Sequence, residues 1–250
     1  MINNDIRGAF PGPKASSMAV DEPTENELTK SRAPSASAPM TCAGAPDLRR
    51  LRGEASAQRI IDATILLIAQ EGIAKVTMQR IAAEIGSSNA LVVFHFQSKE
   101  NLFRAVLQYL SDQYEQTWQS IVHKPGLTPA ERLLAAIDCG QYFARLYPHW
   151  VSVWVAFSSD RNTRQLDRLI SLPNDIAYNA QSRAIIDEIA RTGGYPGVDT
   201  DTLAEGLNYL VQGAWYWDNL NPEGIHPGAM RKTALTLLSQ VFPRHFSVAE

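Results

Sequence analysis

The chain has 250 residues, 45% of them hydrophobic and 20% charged, and a net charge of −3. That is material for one good-sized core, or for a small domain joined to a larger one, and it excludes a wholesale polycation of the histone kind. A nucleic-acid role would need its positive charge gathered locally, and residues 47–104 carry eight Lys and Arg against six Asp and Glu, while residues 105–250 carry eleven against fifteen.

Residues 1–46 are rich in Pro, Ser, Ala, Gly and Glu and hold almost no bulky apolar side chain. Such a segment cannot bury enough surface to offset its chain entropy, so a disordered tail is expected over 1–46. Cys42 and Cys139 lie far apart and form no C-x-x-C, which argues against a disulfide framework and for a reducing compartment. The longest apolar runs, 63–69 and 150–157, are far too short to span a bilayer, and the N-terminus has no basic-then-apolar signal pattern. The expectation is a soluble, cytoplasmic protein with no membrane partner.

From Arg49 onward the periodicity is helical and no strand pattern emerges, so the fold class expected is all-α. Ile61, Ile65, Ile68 and Ala69 recur at helical spacing before Gly72 ends that helix. Thr77 caps the next helix, which ends at Gly86, and Ser87 or Ser88 caps a third. Ser98 caps a long fourth helix through about Ile121, broken by Pro125-Gly126. Thr128-Pro129-Ala130-Glu131 combines a cap, a first-turn proline and a Glu at the third position, and starts a helix to about Leu146. A sixth helix opens near Pro148. Residues 162–192 are helical with a break at Pro173, 193–197 form a loop, and two more helices run from Asp199 to about Asn219 and over 228–242.

Two short helices with a tight turn at Gly86 between them, inside 77–96, have the layout of a helix-turn-helix, whose second helix enters the major groove of DNA. Ile81, Ala82 and Ile85 give the first helix a buried stripe, and Leu91, Val92 and Phe96 anchor the second. Ser88, Asn89, Ala90 and Val93 are left facing outward. Asn89 suits adenine N6/N7, and Ala90 and Val93 suit a thymine methyl. Thr77, His95 and Lys99 surround this face and suit phosphates, Lys99 adding its charge to the start of a helix. Arg49, Arg50 and Arg52 suit an arm over the backbone or into the minor groove. Each has a structural alternative: Val93 in the core, His95 as a satisfied buried histidine, and the arginines as a solvated charge run.

Residues from about Glu54 to Tyr114 resemble the N-terminal domain of the tetracycline-repressor (TetR) family of bacterial regulators. The match is carried by Thr77-x-x-x-Ile81-Ala82-x-x-x-Gly86-x-Ser88 and by Phe94-His95-Phe96-x-Ser98-Lys99-Glu100-x-Leu102. The chain departs from the usual form at Ser87, at Val93, where a phosphate-binding Tyr is common, and at His95, which stands at the second aromatic. The resemblance implies base contacts at Gln79, Asn89 and Ala90 and a phosphate contact at Lys99. It also implies a three-helix DNA-binding domain over 47–103, a larger helical effector-binding and dimerisation domain over 104–246, and a homodimer on double-stranded operator DNA.

Trp150-Val151-Ser152-Val153-Trp154 resembles the Trp-x-x-x-Trp of the choline-responsive betaine-operon repressor group. Tyr142, Trp150, Trp154, Phe157 and Trp215 form a candidate aromatic pocket for an organic cation; as a stripe at helical spacing they are equally a core. Leu203, Leu207, Leu210 and Ala214, with Gly206 and Gly213 for close approach, and Met230, Leu235, Leu238 and Val241 are candidates for a dimer bundle, or for packing within one chain. No Gly-x-Ser-x-Gly, phosphate loop or dinucleotide glycine pattern is present, so neither an enzyme nor a cofactor is expected. The histidines never fall at i,i+3 or i,i+4, so no metal site is expected. The expected function is a ligand-responsive transcriptional regulator, a repressor released by a small-molecule effector. The rival is a helical enzyme or small-molecule carrier without sequence-specific DNA binding.

Overall fold

The computed structural model describes residues 48–221 and 228–247. The tail expected over 1–46 lies outside the described residues. Ten α-helices are present among the described residues, and no strand: α1 (Leu48–Glu71), α2 (Met78–Glu84), α3 (Asn89–Phe96), α4 (Lys99–Val122), α5 (Pro129–Leu146), α6 (Pro148–Ser159), α7 (Arg164–Ile170), α8 (Leu172–Gly193), α9 (Thr200–Leu220) and α10 (Ala229–Val241). A short 3₁₀ turn, Ile73–Lys75, links α1 to α2.

The helix starts follow from short polar side chains at the right places. Thr77 accepts from the Arg80 N–H at 3.0 Å, Ser88 from the Leu91 N–H at 3.3 Å, and Ser98 from the Asn101 N–H at 3.1 Å. Such caps contribute about 1 kcal/mol each. Thr128 and Glu131 cap α5 reciprocally. Between α2 and α3 the chain turns at Gly86, whose φ of +62° is costly for any residue with a Cβ. The break expected at Pro173 falls at Ser171 instead, and Pro173 sits in the first turn of α8, where its missing N–H has no partner to lose.

The packing divides the chain at Glu54 into two units. In the first, Arg50 pairs with Glu54 across one helical turn at 3.7 Å. Within the second, the apolar side chains form two cores. One gathers Ile60 and Leu67 of α1, Ile81 of α2, Val92 of α3 and Leu102 to Leu110 of α4, and it also takes Val153 and Phe157 of α6 and Leu166 of α7. The other gathers Tyr114 and Trp118 of α4 with residues of α5, α8, α9 and α10. Trp150 and Trp154, on α6, pack against both cores. Among the described residues, no helix is long and apolar enough to cross a membrane.

Candidate DNA-reading face and effector cavity

α3 turns about 100° per residue. Val92 and Phe96 lie buried on one side of it. That places Ala90 and Phe94 on the opposite arc and Val93 at its flank, while Asn89 is exposed because it stands in the first turn of the helix; all four are exposed. Val93 is 40% exposed, which puts it on the outer face and not in the core. Phe94, at 75% exposed, belongs to the same arc, although the sequence reading gave it no contact role. Its position was legible from the buried pair Val92 and Phe96, which fixes which side of the helix faces out.

Thr77, Gln79 and Ser88 are exposed at the starts of α2 and α3, with the hydroxyls of Thr77 and Ser88 engaged as caps. His95 is half-buried at the edge of the face, its ring edge-on to Phe94 at 5.3 Å. After α3 the chain turns at Gln97, whose φ of +59° is unusual for a residue with a side chain. This turn delivers Lys99 to the first turn of α4, where its Nζ lies 5.0 Å from the Phe103 ring centre. Burial lowers the Lys99 pKa from the ordinary lysine value, while the negative charge of Asp160 works the other way. Arg80 is held within the headpiece, its guanidinium meeting Glu71 at 2.7 Å and Glu84 at 2.8 Å. Arg52 is exposed in the first unit.

A cavity of about 330 Å³ opens among α4, α5, α6, α7, α8 and α9, at the small end of the range for organic-ligand sites. Tyr114, Trp118, Trp154, Tyr178 and Trp215 give it an aromatic wall. Trp154 stacks on Trp215 at 5.5 Å, and Tyr114 stands edge-on to Trp154, Tyr178 and Trp215 at 6.2, 5.2 and 5.6 Å. Two indoles are fixed by hydrogen bonds: Trp118 Nε1 donates to Gln181 Oε1 at 3.0 Å, and Trp215 Nε1 to the Gly140 carbonyl at 2.9 Å. Gly140 allows this close approach of α5 and α9, because a Cβ there would come within 2.8 Å of Val211 Cγ1 and force that side chain to shift.

Of the five residues expected to form the pocket, Trp154 and Trp215 line the cavity and the other three do not. Phe157 lies fully buried in the first core, edge-on to Phe103 at 5.2 Å. It stands one turn further along α6 than Trp154, where its ring meets the first core and not the cavity. Trp150 stacks on Tyr147 at 4.1 Å and stands edge-on to Tyr109 at 5.8 Å, away from the cavity. Tyr142 is half-buried beside Phe143. In place of these, α4 and α8 supply Tyr114, Trp118 and Tyr178, aromatic residues too far apart in sequence to read as one group. The wall also carries a polar stretch, Asp167, Ser171, Asp175 and Asn179. Burial raises the pKa of Asp175 to about 6, with the Asp167 charge adding to the effect, and burial raises that of Asp167 too. No group of three metal-ligating side chains occurs among the described residues.

The residues expected to make a dimer bundle also need correction. Leu207 of α9 and Met230 and Leu238 of α10 are buried within the chain, and Leu203, Leu210, Ala214, Leu235 and Val241 pack on the same core. The exposed stripe of α9 is Gly206, Tyr209, Gly213, Tyr216 and Leu220, spaced by three and four residues. Among the described residues, nothing lies within 4 Å of a Cβ built at Gly206 or Gly213.

The all-helical fold and the exposed second helix of the turn define a helix-turn-helix regulator. Comparison with known proteins makes the family plain. Residues 60–106 match the model of bacterial regulatory proteins of the tetR family. The regulator BetI of Brucella anthropi is 30% identical over 164 residues, 63% of this chain and 78% of its own length. BetI of Rhizobium meliloti is 28% identical over 162 residues, 64% of this chain and 76% of its own. A transcriptional regulator of Pseudomonas aeruginosa shares the fold with a TM-score of 0.64 at 20% identity, over 80% of this chain and 97% of its own. One from Saccharomonospora viridis, solved in complex with choline, does so with a TM-score of 0.58 at 24% identity, over 74% and 96%. The chain belongs to the TetR family of bacterial transcriptional regulators and is related to BetI. Nothing supports the enzyme alternative.

Proposed function

We propose that the chain is a homodimeric repressor, released from a palindromic operator when a small organic cation enters its aromatic cavity. In this reading residues 47–103 bind DNA and residues 104–246 hold the effector and the dimer contact. Gln79, Asn89, Ala90 and Val93 meet base edges. Thr77, Ser88, His95, Lys99 and Arg52 meet the backbone, and Phe94 covers sugar or base surface beside them. A single recognition helix contacts too few bases for operator-level specificity, which favours two subunits. The α9 stripe of glycines and exposed aromatics suits close helix packing across a two-fold axis.

The cation reading rests on the cavity's aromatic wall, whose ring faces attract a quaternary ammonium. The choline complex of the S. viridis regulator is a supporting analogy. The observation that carries the regulatory reading is the dual packing of α6. Trp154 lines the cavity, while Phe157, on the same helix, packs against Phe103, one turn beyond Lys99. A cation seated against Trp154 therefore bears on the helix that braces the start of α4. Moving that brace changes the spacing of the two recognition helices, and the operator is released.

The test is selection of duplexes from a random pool, followed by anisotropy titrations over a range of salt concentrations. A regulator enriches a palindrome and binds it with steep salt dependence, and choline then displaces it. A carrier would bind choline and ignore DNA.

A further inference from the structure

One stretch of the cavity wall has no aromatic character. Asp167, Ser171, Asp175 and Asn179 follow at four-residue spacing from α7 through the Ser171 junction into α8, so they form one stripe, with Tyr178 beside it. All five residues line the cavity. Ser171 and Tyr178 are each only 8% exposed. Their hydroxyl oxygens, and Asn179 Oδ1, are buried without a hydrogen-bond partner among the described residues. Asp167 and Glu115 stand near Ser171 and Tyr178 but outside bonding geometry. Buried polar groups are ordinarily paired, so an unpaired group of this size points to a ligand that completes it.

Charge gives the ligand's chemistry. Among the described residues, two carboxylates line the cavity and no Lys or Arg does. Two buried like charges repel, and burial together with the neighbouring carboxylate makes Asp175 costly to ionise, a cost that a bound cation would offset. One quaternary ammonium held by the rings balances one carboxylate and leaves the second. It also has no N–H, and so leaves the acceptor oxygens of the stripe unfilled.

We propose that the Asp167–Asp175 stripe is a second cation subsite, and that the cavity takes a ligand with two cationic groups, one against the aromatic rings and one primary or secondary ammonium on the stripe. A primary ammonium brings three N–H donors to a wall that offers carboxylate, amide and hydroxyl oxygens. This inference rests on the reading of the aromatic wall as a cation site.

The test is calorimetric titration of the full-length protein at pH 7.5 with two probes of equal length. (3-Hydroxypropyl)trimethylammonium carries one charge and (3-aminopropyl)trimethylammonium two. The amino compound should bind about tenfold more tightly or better, the effect of one charge-assisted hydrogen bond or more. In Asp175→Asn and in Asp167→Asn the ratio of the two affinities should fall to within about twofold. Equal affinities for the wild-type protein would overturn the second subsite and leave the aromatic site standing. A preference that survives in both variants would overturn it too. If neither cation binds, the aromatic reading fails and this inference with it.

Discussion

Asn89 and Lys99 face the same duplex with different chemistry, and their replacements should separate. Asn89 is exposed at the start of α3, with an amide suited to an adenine edge. Asn89→Ala should relax preference at one base pair per half-site, at a cost of about 1–3 kcal/mol there. An equal loss on every sequence would make it a backbone contact instead. Lys99 reaches from the first turn of α4. Lys99→Ala should weaken binding to all duplexes alike and flatten the salt dependence by about one unit per contact. In the cavity, Asp175 makes a prediction of the opposite kind. Its pKa is raised from 3.8 to about 6 by burial and by Asp167. The stability linked to it is therefore present below about pH 4 and is lost as pH rises through about 6. Asp175→Asn should raise the melting temperature of the ligand-free protein at pH 7.5 and leave it little changed near pH 4. A lower melting temperature at pH 7.5 would contradict that environment.

At the scale of elements, α6 carries the account, and its faces can be tested apart. Phe157→Ala removes a fully buried ring from the first core and should cost about 3–5 kcal/mol of stability, read by denaturant unfolding. Trp154→Leu keeps the cavity apolar but removes a ring face, and should weaken a bound cation by about 0.5–2 kcal/mol without unfolding the protein. If Trp154→Leu unfolds it instead, Trp154 is a core residue. These elements also show what a sequence can reveal. The caps at Thr77, Ser98 and Thr128 were legible because each is a hydroxyl a few residues from the N–H it satisfies, while two adjacent serines left the cap of α3 open until the structure gave it to Ser88. The cavity was not, because Tyr114, Trp118, Tyr178 and Trp215 meet only once α4, α8 and α9 are packed. Trp150 and Phe157 read as pocket residues for the same reason: periodicity places them on a helix but does not say what each face touches. In α9 the large aliphatics turned inward, and the outer stripe joins the two glycines expected to allow close approach, Gly206 and Gly213, to aromatics that the sequence did not single out. The stripe from Asp167 to Asn179 has helical spacing in plain view, yet a polar stripe reads as solvent-facing until other helices cover it.

At the scale of the molecule, the proposed dimer makes a test that does not disturb the fold. Gly213 is exposed, and a Cβ there meets nothing among the described residues. Gly213→Glu should therefore leave the monomer folded, shift sedimentation from dimer to monomer, and abolish operator binding. A variant that stays dimeric would move the interface elsewhere. In the proposed regulator one equilibrium joins the aromatic cavity to the DNA-reading face. Linkage makes it reciprocal: the factor by which a cation weakens operator binding must equal the factor by which operator weakens cation binding. The direct measurement is a tryptophan-fluorescence titration with choline, made once on the free protein and once with saturating operator duplex. Choline should bind more weakly on the operator, by the same factor that saturating choline takes from operator affinity. Choline affinity that is the same with and without operator would show that the cavity and the recognition helices are not coupled.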